Sequence, residues 1–122
     1  MIITNKQIYE SNHKLFVFLN SDFKMPVRIN FYLQKNIQIV AQAAEEIEKA
    51  RLSIAAQHGI ANEEKTGYIV PEDKISLVAQ ELNDLFNLEQ DLNIHIFKLS
   101  DFDGIELTFQ ELSAIMFMVE ED

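Results

Sequence analysis

Three histidines, His13, His58 and His95, are the first residues to ask for chemistry, and their spacing argues against a shared site. A metal-binding helix presents ligands three or four residues apart, and none of the three has such a partner. His58 falls instead near the end of a long helical pattern, where the helix dipole favours a cation. The run Asp101-Phe102-Asp103-Gly104 carries calcium-type oxygen ligands, but an EF-hand loop needs glycine at its sixth position and glutamate at its twelfth. Here glycine comes fourth and Leu112 twelfth, so the run reads as a turn. Glu45, Glu46 and Glu48 lie among Lys49 and Arg51. A helical di-iron site would need Glu-x-x-His pairs from more than one helix, so these residues read as a solvated face with local ion pairs.

Nucleophilic and phosphate chemistry find no better footing. Gly59, Gly67 and Gly104 stand too far apart for a phosphate-cradling loop, and no serine sits in a nucleophile elbow. The absence of cysteine removes thiolate zinc, disulfides and a cysteine nucleophile. No catalytic, cofactor or metal residue is therefore assigned, and the chain reads as a non-enzyme. The candidates that remain are partner-binding residues. Asn30, Phe31, Lys35 and Arg51 flank an apolar seam without an evident local task, although buried structural duty would explain them equally well. Glu81, Asp84 and Glu89 follow on a second helical stripe.

The element that positions the first four is one long amphipathic helix over residues 26–58. Leu33, Ile37, Val40, Ala44, Ile47 and then Ile54 recur in the a/d rhythm of a packed seam. Pro26 suits the first helical turn, and Gly59 suits a left-handed residue just past the end. A straight helix of this length would span about 50 Å, against a radius of gyration of about 14 Å for a compact chain of this size. Ala41, Ala43, Ala44, Ala50, Ala55 and Ala56 thin its surface for close helix approach. It is either the core helix of a monomeric bundle or a docking helix for a partner.

Around it the chain reads as α+β, mainly α, in a single domain over 1–122. The parts are an N-terminal helix and turn (1–25), the long helix (26–58), a short strand and second helix (68–92), and a strand with a C-terminal helix (93–122). Met1–Thr4 is a short apolar lead-in. Thr4 caps a helix running to about Asn20, whose apolar run Leu15-Phe16-Val17-Phe18-Leu19 asks to be buried. Ser21 to Met25 is a turn, and Phe31, Tyr32 and Leu33 form an aromatic cluster where the two helices meet. Ile60 to Gly67 is a polar connection, and Tyr68-Ile69-Val70 is strand-like. Pro71 opens a helix of about 19 residues with Ile75, Val78, Leu82, Leu85 and Phe86 on its stripe, extended by Leu88 and Leu92. It is expected to pack antiparallel on the long helix, making a helical hairpin. Asn93 to Leu99 reads as a strand pairing with Tyr68–Val70 or Met1–Thr4, which gives a small two- or three-stranded β element. Thr108 and Glu111 have capping-box spacing for a short last helix with Phe109, Leu112, Ile115 and Met116 inward. The acidic end Glu120-Glu121-Asp122 is expected to fray.

The net charge of −10 is unevenly placed. Residues 1–60 hold seven basic and five acidic side chains, whereas residues 61–122 hold three and fifteen. A surface this acidic repels a phosphate backbone, so direct nucleic-acid binding is not expected; it suits a basic partner or nucleic-acid mimicry. No stretch approaches the ~18 apolar residues of a membrane span, and no signal peptide is evident. The reading is a cytoplasmic protein without a membrane partner.

Several stretches resemble an uncharacterised family of small phage and prophage proteins of Gram-positive bacteria. They are Thr4-Asn5-Lys6-Gln7, Met25-Pro26-Val27 with Asn30-Phe31, and Gln34-Lys35-Asn36. Glu45-Glu46-Ile47 with Arg51, Glu81-Leu82 with Leu85, and Phe117-Met118-Val119-Glu120-Glu121 continue the pattern. The resemblance spans nearly the whole chain and carries over no site residue. It implies a setting in the host cell or on the virion. Together with the long seam it favours a structural or assembly factor acting as a homo-oligomer or on another protein. The alternative is an acidic inhibitor of a host or defence protein.

Overall fold

The computed structural model describes residues 1–20, 25–61 and 67–122. Residues 21–24 of the turn expected from Ser21 to Met25, and residues 62–66 of the connection expected from Ile60 to Gly67, lie outside the described residues. The architecture is α+β and mainly α. β1 (Ile2–Thr4) leads into α1 (Asn5–Asn20), followed by the long α2 (Val27–His58) and the two-residue strands β2 (Ile60–Ala61) and β3 (Tyr68–Ile69). A 3-10 turn at Glu72–Lys74 opens α3 (Ile75–Asn87), and β4 (Glu89–Asp91) and β5 (Phe97–Lys98) come next. α4 (Phe109–Ile115) and β6 (Val119–Glu120) complete the order.

Local chemistry accounts for the helix starts. Thr4 Oγ1 accepts the Gln7 N–H at 3.2 Å while Gln7 Oε1 accepts the Thr4 N–H at 2.9 Å, a reciprocal cap on α1. Thr108 and Glu111 do the same for α4, both bonds at 3.1 Å. Pro26 stands just outside α2 as its N-cap, and its carbonyl accepts the Asn30 N–H at 3.0 Å. Gly59 departs from expectation. It is extended, at φ −103° and ψ 173°, not left-handed. What matters there is its size, because a Cβ would lie 2.6 Å from the Ala55 carbonyl oxygen and 3.0 Å from the Tyr68 Cβ.

The core forms where α1 packs against both α2 and α4. Leu33, Ile37, Val40, Ala44 and Ile47 are buried as the seam requires, joined by Ile29 and Ala43. α1 contributes Ile8, Leu15 and Phe18, and the C-terminal segment contributes Phe97, Ala114, Ile115 and Met118. Phe16, in the expected apolar run, faces outward, and so do Phe109 (86% exposed) and Leu112 of α4 and Met116 just after it. Once Thr108 sets the register, Ala114 and Ile115 occupy the inner positions.

α3 runs antiparallel to α2. His58 Nε2 meets Glu81 Oε2 at 2.9 Å at one end of the contact. At the other end Tyr9 touches both Glu48 (3.0 Å) and Phe86 (ring centroids 5.5 Å). This is the expected helical hairpin, but α3 is shorter than its apolar spacing predicts. Asn5 Nδ2 donates to the Leu85 carbonyl at 2.9 Å and the Asn5 N–H donates to the Leu88 carbonyl at 2.8 Å. These bonds tie the end of α3 to the start of α1, where the chain passes into β4. Leu88 and Leu92 therefore leave the stripe, the first exposed and the second buried under the strand.

Strand pairing also differs from expectation. The β element is three separate two-stranded pairings among the described residues. β1 pairs antiparallel with β4 in the register Ile2↔Asp91, Ile3↔Gln90, Thr4↔Glu89. β2 pairs with β3, and β5 pairs in parallel with β6, through Phe97↔Val119 and Lys98↔Glu120. The acidic end is accordingly tied down. Lys98 Nζ meets Glu120 at 3.0 Å, and Ser100 donates to Asp122 from its N–H at 2.9 Å and from its hydroxyl. The Ser100 bonds hold the Asp122 carboxyl below its ordinary value.

Candidate interaction surfaces

The chemistry-bearing side chains are kept apart by the fold. His13 lies edge-on to Tyr9 at 5.1 Å, His58 is on Glu81, and His95 stacks on Tyr32 at 4.0 Å with rings 12° from parallel. Among the described residues no three His, Cys, Asp or Glu side chains gather as metal ligands. No described helix is long and apolar enough to cross a membrane. Asp101 and Phe102 end a 3-10 segment over Leu99–Phe102, and Asp103-Gly104 follows as a turn, with Gly104 at φ 77°.

The seven candidate partner-binding residues fall in three places. Asn30, Phe31 and Lys35 share the outer flank of α2 near its start. Phe31 is 58% exposed, edge-on to Tyr32 at 5.3 Å, with Lys35 Nζ 5.8 Å from its ring centre. Arg51 has a local task after all, since its guanidinium forks onto both oxygens of Glu48. The Arg51 bonds hold the Glu48 carboxyl below its usual value against a smaller opposing effect of burial, and the Glu48 bond raises the Tyr9 hydroxyl. Glu81 is committed to His58, and Asp84 accepts from Gln80 Nε2 at 2.9 Å. Glu89 is on β4, not on a helix, which separates it from the other two carboxylates.

Asn36 was not singled out by its spacing, yet it organises the wall beside Phe31. Fully buried, it donates from Nδ2 to the His95 carbonyl at 2.9 Å and accepts the His95 N–H at 2.8 Å. Its signal in the sequence was an amide set inside the stripe Leu33–Ile37–Val40. This clamp lays residues 93–96 along α2 and stacks His95 on Tyr32. Next to it, Ile39, Ala43 and Glu46 of α2 face Gln90 and Leu92 across a groove of about 380 Å³. A further hollow of about 460 Å³ lies between α1 and α3, floored by Leu82 and Phe86 beside the Glu48-bonded Tyr9.

The far end of the α2–α3 hairpin makes a third surface. Ile60 (67%) and Ile69 (64%), paired across β2 and β3, are exposed there beside Tyr68, and the flanking helices add the exposed Leu52 of α2 and Ile75 and Leu77 on different sides of α3. The sequence signal for this patch was weak, because Ile60 sat in a stretch otherwise read as a polar connection.

What fold and surfaces define is a mainly helical protein with exposed helix flanks and exposed apolar residues at one end of its hairpin. Compared with protein-family models, curated proteins and solved structures, the chain matches none of them.

Proposed function

We propose that this chain is a non-enzymatic protein that works through protein–protein contact, self-association included, as a structural or assembly factor. Its resemblance to small phage and prophage proteins supplies the setting, an infected or lysogenic Gram-positive cell. The observation that carries the reading is the hairpin tip, where the paired Ile60 and Ile69 and the adjacent Tyr68 stand in solvent. Scattered exposed apolar residues are ordinary on any protein, but a group gathered at one end is characteristic of an interaction site. Sedimentation velocity over a wide concentration range tests it, with the pair Ile60→Glu and Ile69→Glu as the disrupting variant. Association that the wild type shows and the variant loses supports the reading. A wild type that stays monomeric throughout, and retains no partner in a lysate that the variant fails to retain, removes it.

A second reading is favoured by charge: residues 67–122 carry thirteen carboxylates against Lys74 and Lys98. An acidic inhibitor would seat these in the basic groove of a host or defence protein. Binding on this reading weakens with salt and with charge reversal at Glu81, Asp84 and Glu89, whereas binding through the apolar tip survives both.

A further inference from the structure

We propose that β4 is a docking edge for an extended, basic peptide segment of a partner protein, which adds to β1–β4 as a third strand over the groove beside α2. The inference deepens the protein-contact reading but uses a different surface from the hairpin tip.

The pairing pattern shows which backbone groups are free to recruit a strand. Met1 and Leu92 exchange both N–H···O bonds at 2.8 Å, and the Asn5 N–H reaches the Leu88 carbonyl, also at 2.8 Å. In an antiparallel ladder bonded and non-bonded pairs alternate, so Ile3↔Gln90 faces inward to the ladder while Glu89 and Asp91 turn their N–H and C=O groups away from β1. No described strand takes that edge, because the sheet contains only β1 and β4. Four main-chain groups therefore line an open edge with the spacing that a strand would match.

The side chains say what kind of strand fits. Successive residues of an added strand face opposite sides of the sheet. A residue opposite Gln90 points to the groove floor at Ile39 and Ala43, and an apolar side chain of moderate size suits the space there. Its two neighbours come opposite Glu89 and Asp91 on the outer face, where both carboxylates are exposed. Asp91 already takes the Met1 ammonium at 2.9 Å yet remains 76% exposed, and Glu46 adds a third carboxylate on the far wall beyond the single cation Lys35. Basic residues at those outer positions match this surface. A second copy of β4 would instead set Glu89 and Asp91 against the same residues of its partner, and like charges directly opposite are destabilising. The occupant is therefore a different chain with a basic–apolar–basic alternation.

The test uses the intact chain and two synthetic probes, acetyl-Thr-Lys-Val-Lys-Thr-amide and the same peptide with glutamate in place of lysine. Backbone amide shifts are followed by NMR during titration. The expected result is saturable movement of the Glu89, Gln90, Asp91, Ile39 and Ala43 amides with the lysine peptide, at least tenfold weaker with the glutamate peptide. The variant pair Glu89→Lys and Asp91→Lys reverses that preference, and Glu89→Pro, which removes an outward N–H without touching the β1 ladder, abolishes binding by both. Each variant is checked for unchanged β1 and core amide shifts. Equal response to the two peptides, movement elsewhere only, or none at all overturns the proposal and leaves the two carboxylates as guards against edge pairing. Concentration-dependent movement of the same amides without peptide also overturns it, in favour of a second copy. The tip variant Ile60→Glu with Ile69→Glu retains peptide binding, so failure of the tip reading and failure of this one are read separately.

Discussion

The two halves of the long helix are built on different terms. From Ile29 to Ile47 eight residues are buried, all but Asn36 in one apolar cluster with α1 and the C-terminal segment that holds Phe97, Ile115 and Met118. From Lys49 to His58 none is fully buried, and the only fully buried residue of α3 is Val78. The same backbone geometry thus serves a core at one end and a single hairpin contact at the other. A helix gains most of its stability from the apolar face it packs, so the distal half is held by few contacts and has apolar surface to spare. Burial alone separates the fold-bearing half from the half that offers an interaction surface.

Matched truncations test that division most directly. Leu33→Ala, fully buried, is expected to cost about 2–5 kcal/mol in urea denaturation, counting the cavity left behind. Leu52→Ala in the distal half is expected to stay within about 0.5 kcal/mol, as exposed positions usually do. Equal losses would show that the halves are not distinct. Between these limits, Asn36→Leu strands the His95 N–H and carbonyl and is expected to cost about 1–3 kcal/mol. The Tyr32–His95 stack should loosen at the same time, visible as shifted His95 ring resonances. Gly59→Ala forces a methyl against the Ala55 carbonyl and the Tyr68 Cβ, with an expected loss of about 1–3 kcal/mol by crowding. Amide exchange should place that damage at the β2–β3 junction and spare the core. Fast exchange at Leu33 instead would tie the two halves more tightly than their burial suggests.

How much of this was legible in the sequence follows the same division. The stripe from Leu33 to Ile47, the caps at Thr4 and Thr108, and the antiparallel hairpin rest on spacing within one or two turns, and all are present. The end of α3 was not legible. Leu88 and Leu92 continue its spacing, and what stops the helix is Asn5, eighty residues earlier, bonding to the Leu85 carbonyl. The parallel pairing of Phe97 with Val119 is non-local in the same way. Phe109 looked like a core residue because it is apolar, but capping fixed a register that turns it outward. Among the candidate partner-binding residues, Phe31 and Lys35 come together as their spacing on one helix flank allows. The partners of Arg51 and Glu81 differ in kind. Glu48 is three residues from Arg51, within reach of a sequence argument, whereas His58 meets Glu81 only once the hairpin closes. The tip was missed because two-residue strands leave almost no alternation to read.

The smallest expected effect lies at the border between the two halves. Glu48 comes directly after the last buried seam residue, accepts the Tyr9 hydroxyl from α1 and is forked by Arg51 on the distal side. Its carboxyl is held below the ordinary 4.5, so its contribution is complete above that value and is lost as pH falls through the lower folded value. Tyr9 is raised above 10.0, so its neutral form is the one favoured by folding; that contribution is complete below pH 10.0 and disappears as pH rises through the folded value. Both Glu48 and Arg51 are more than a third exposed, so the pair is worth only about 0.2–1 kcal/mol after solvent screening. The comparison of halves makes the consequence local. Below pH 4.5 amide exchange along residues 49–58 should accelerate before exchange along residues 29–47, and Glu48→Gln should remove that acid-dependent difference. Tyr9→Phe should leave the acid limb largely in place, because Arg51 is the larger cause of the Glu48 shift. Uniform acceleration along the whole of α2 would mean that the border is not where the helix divides.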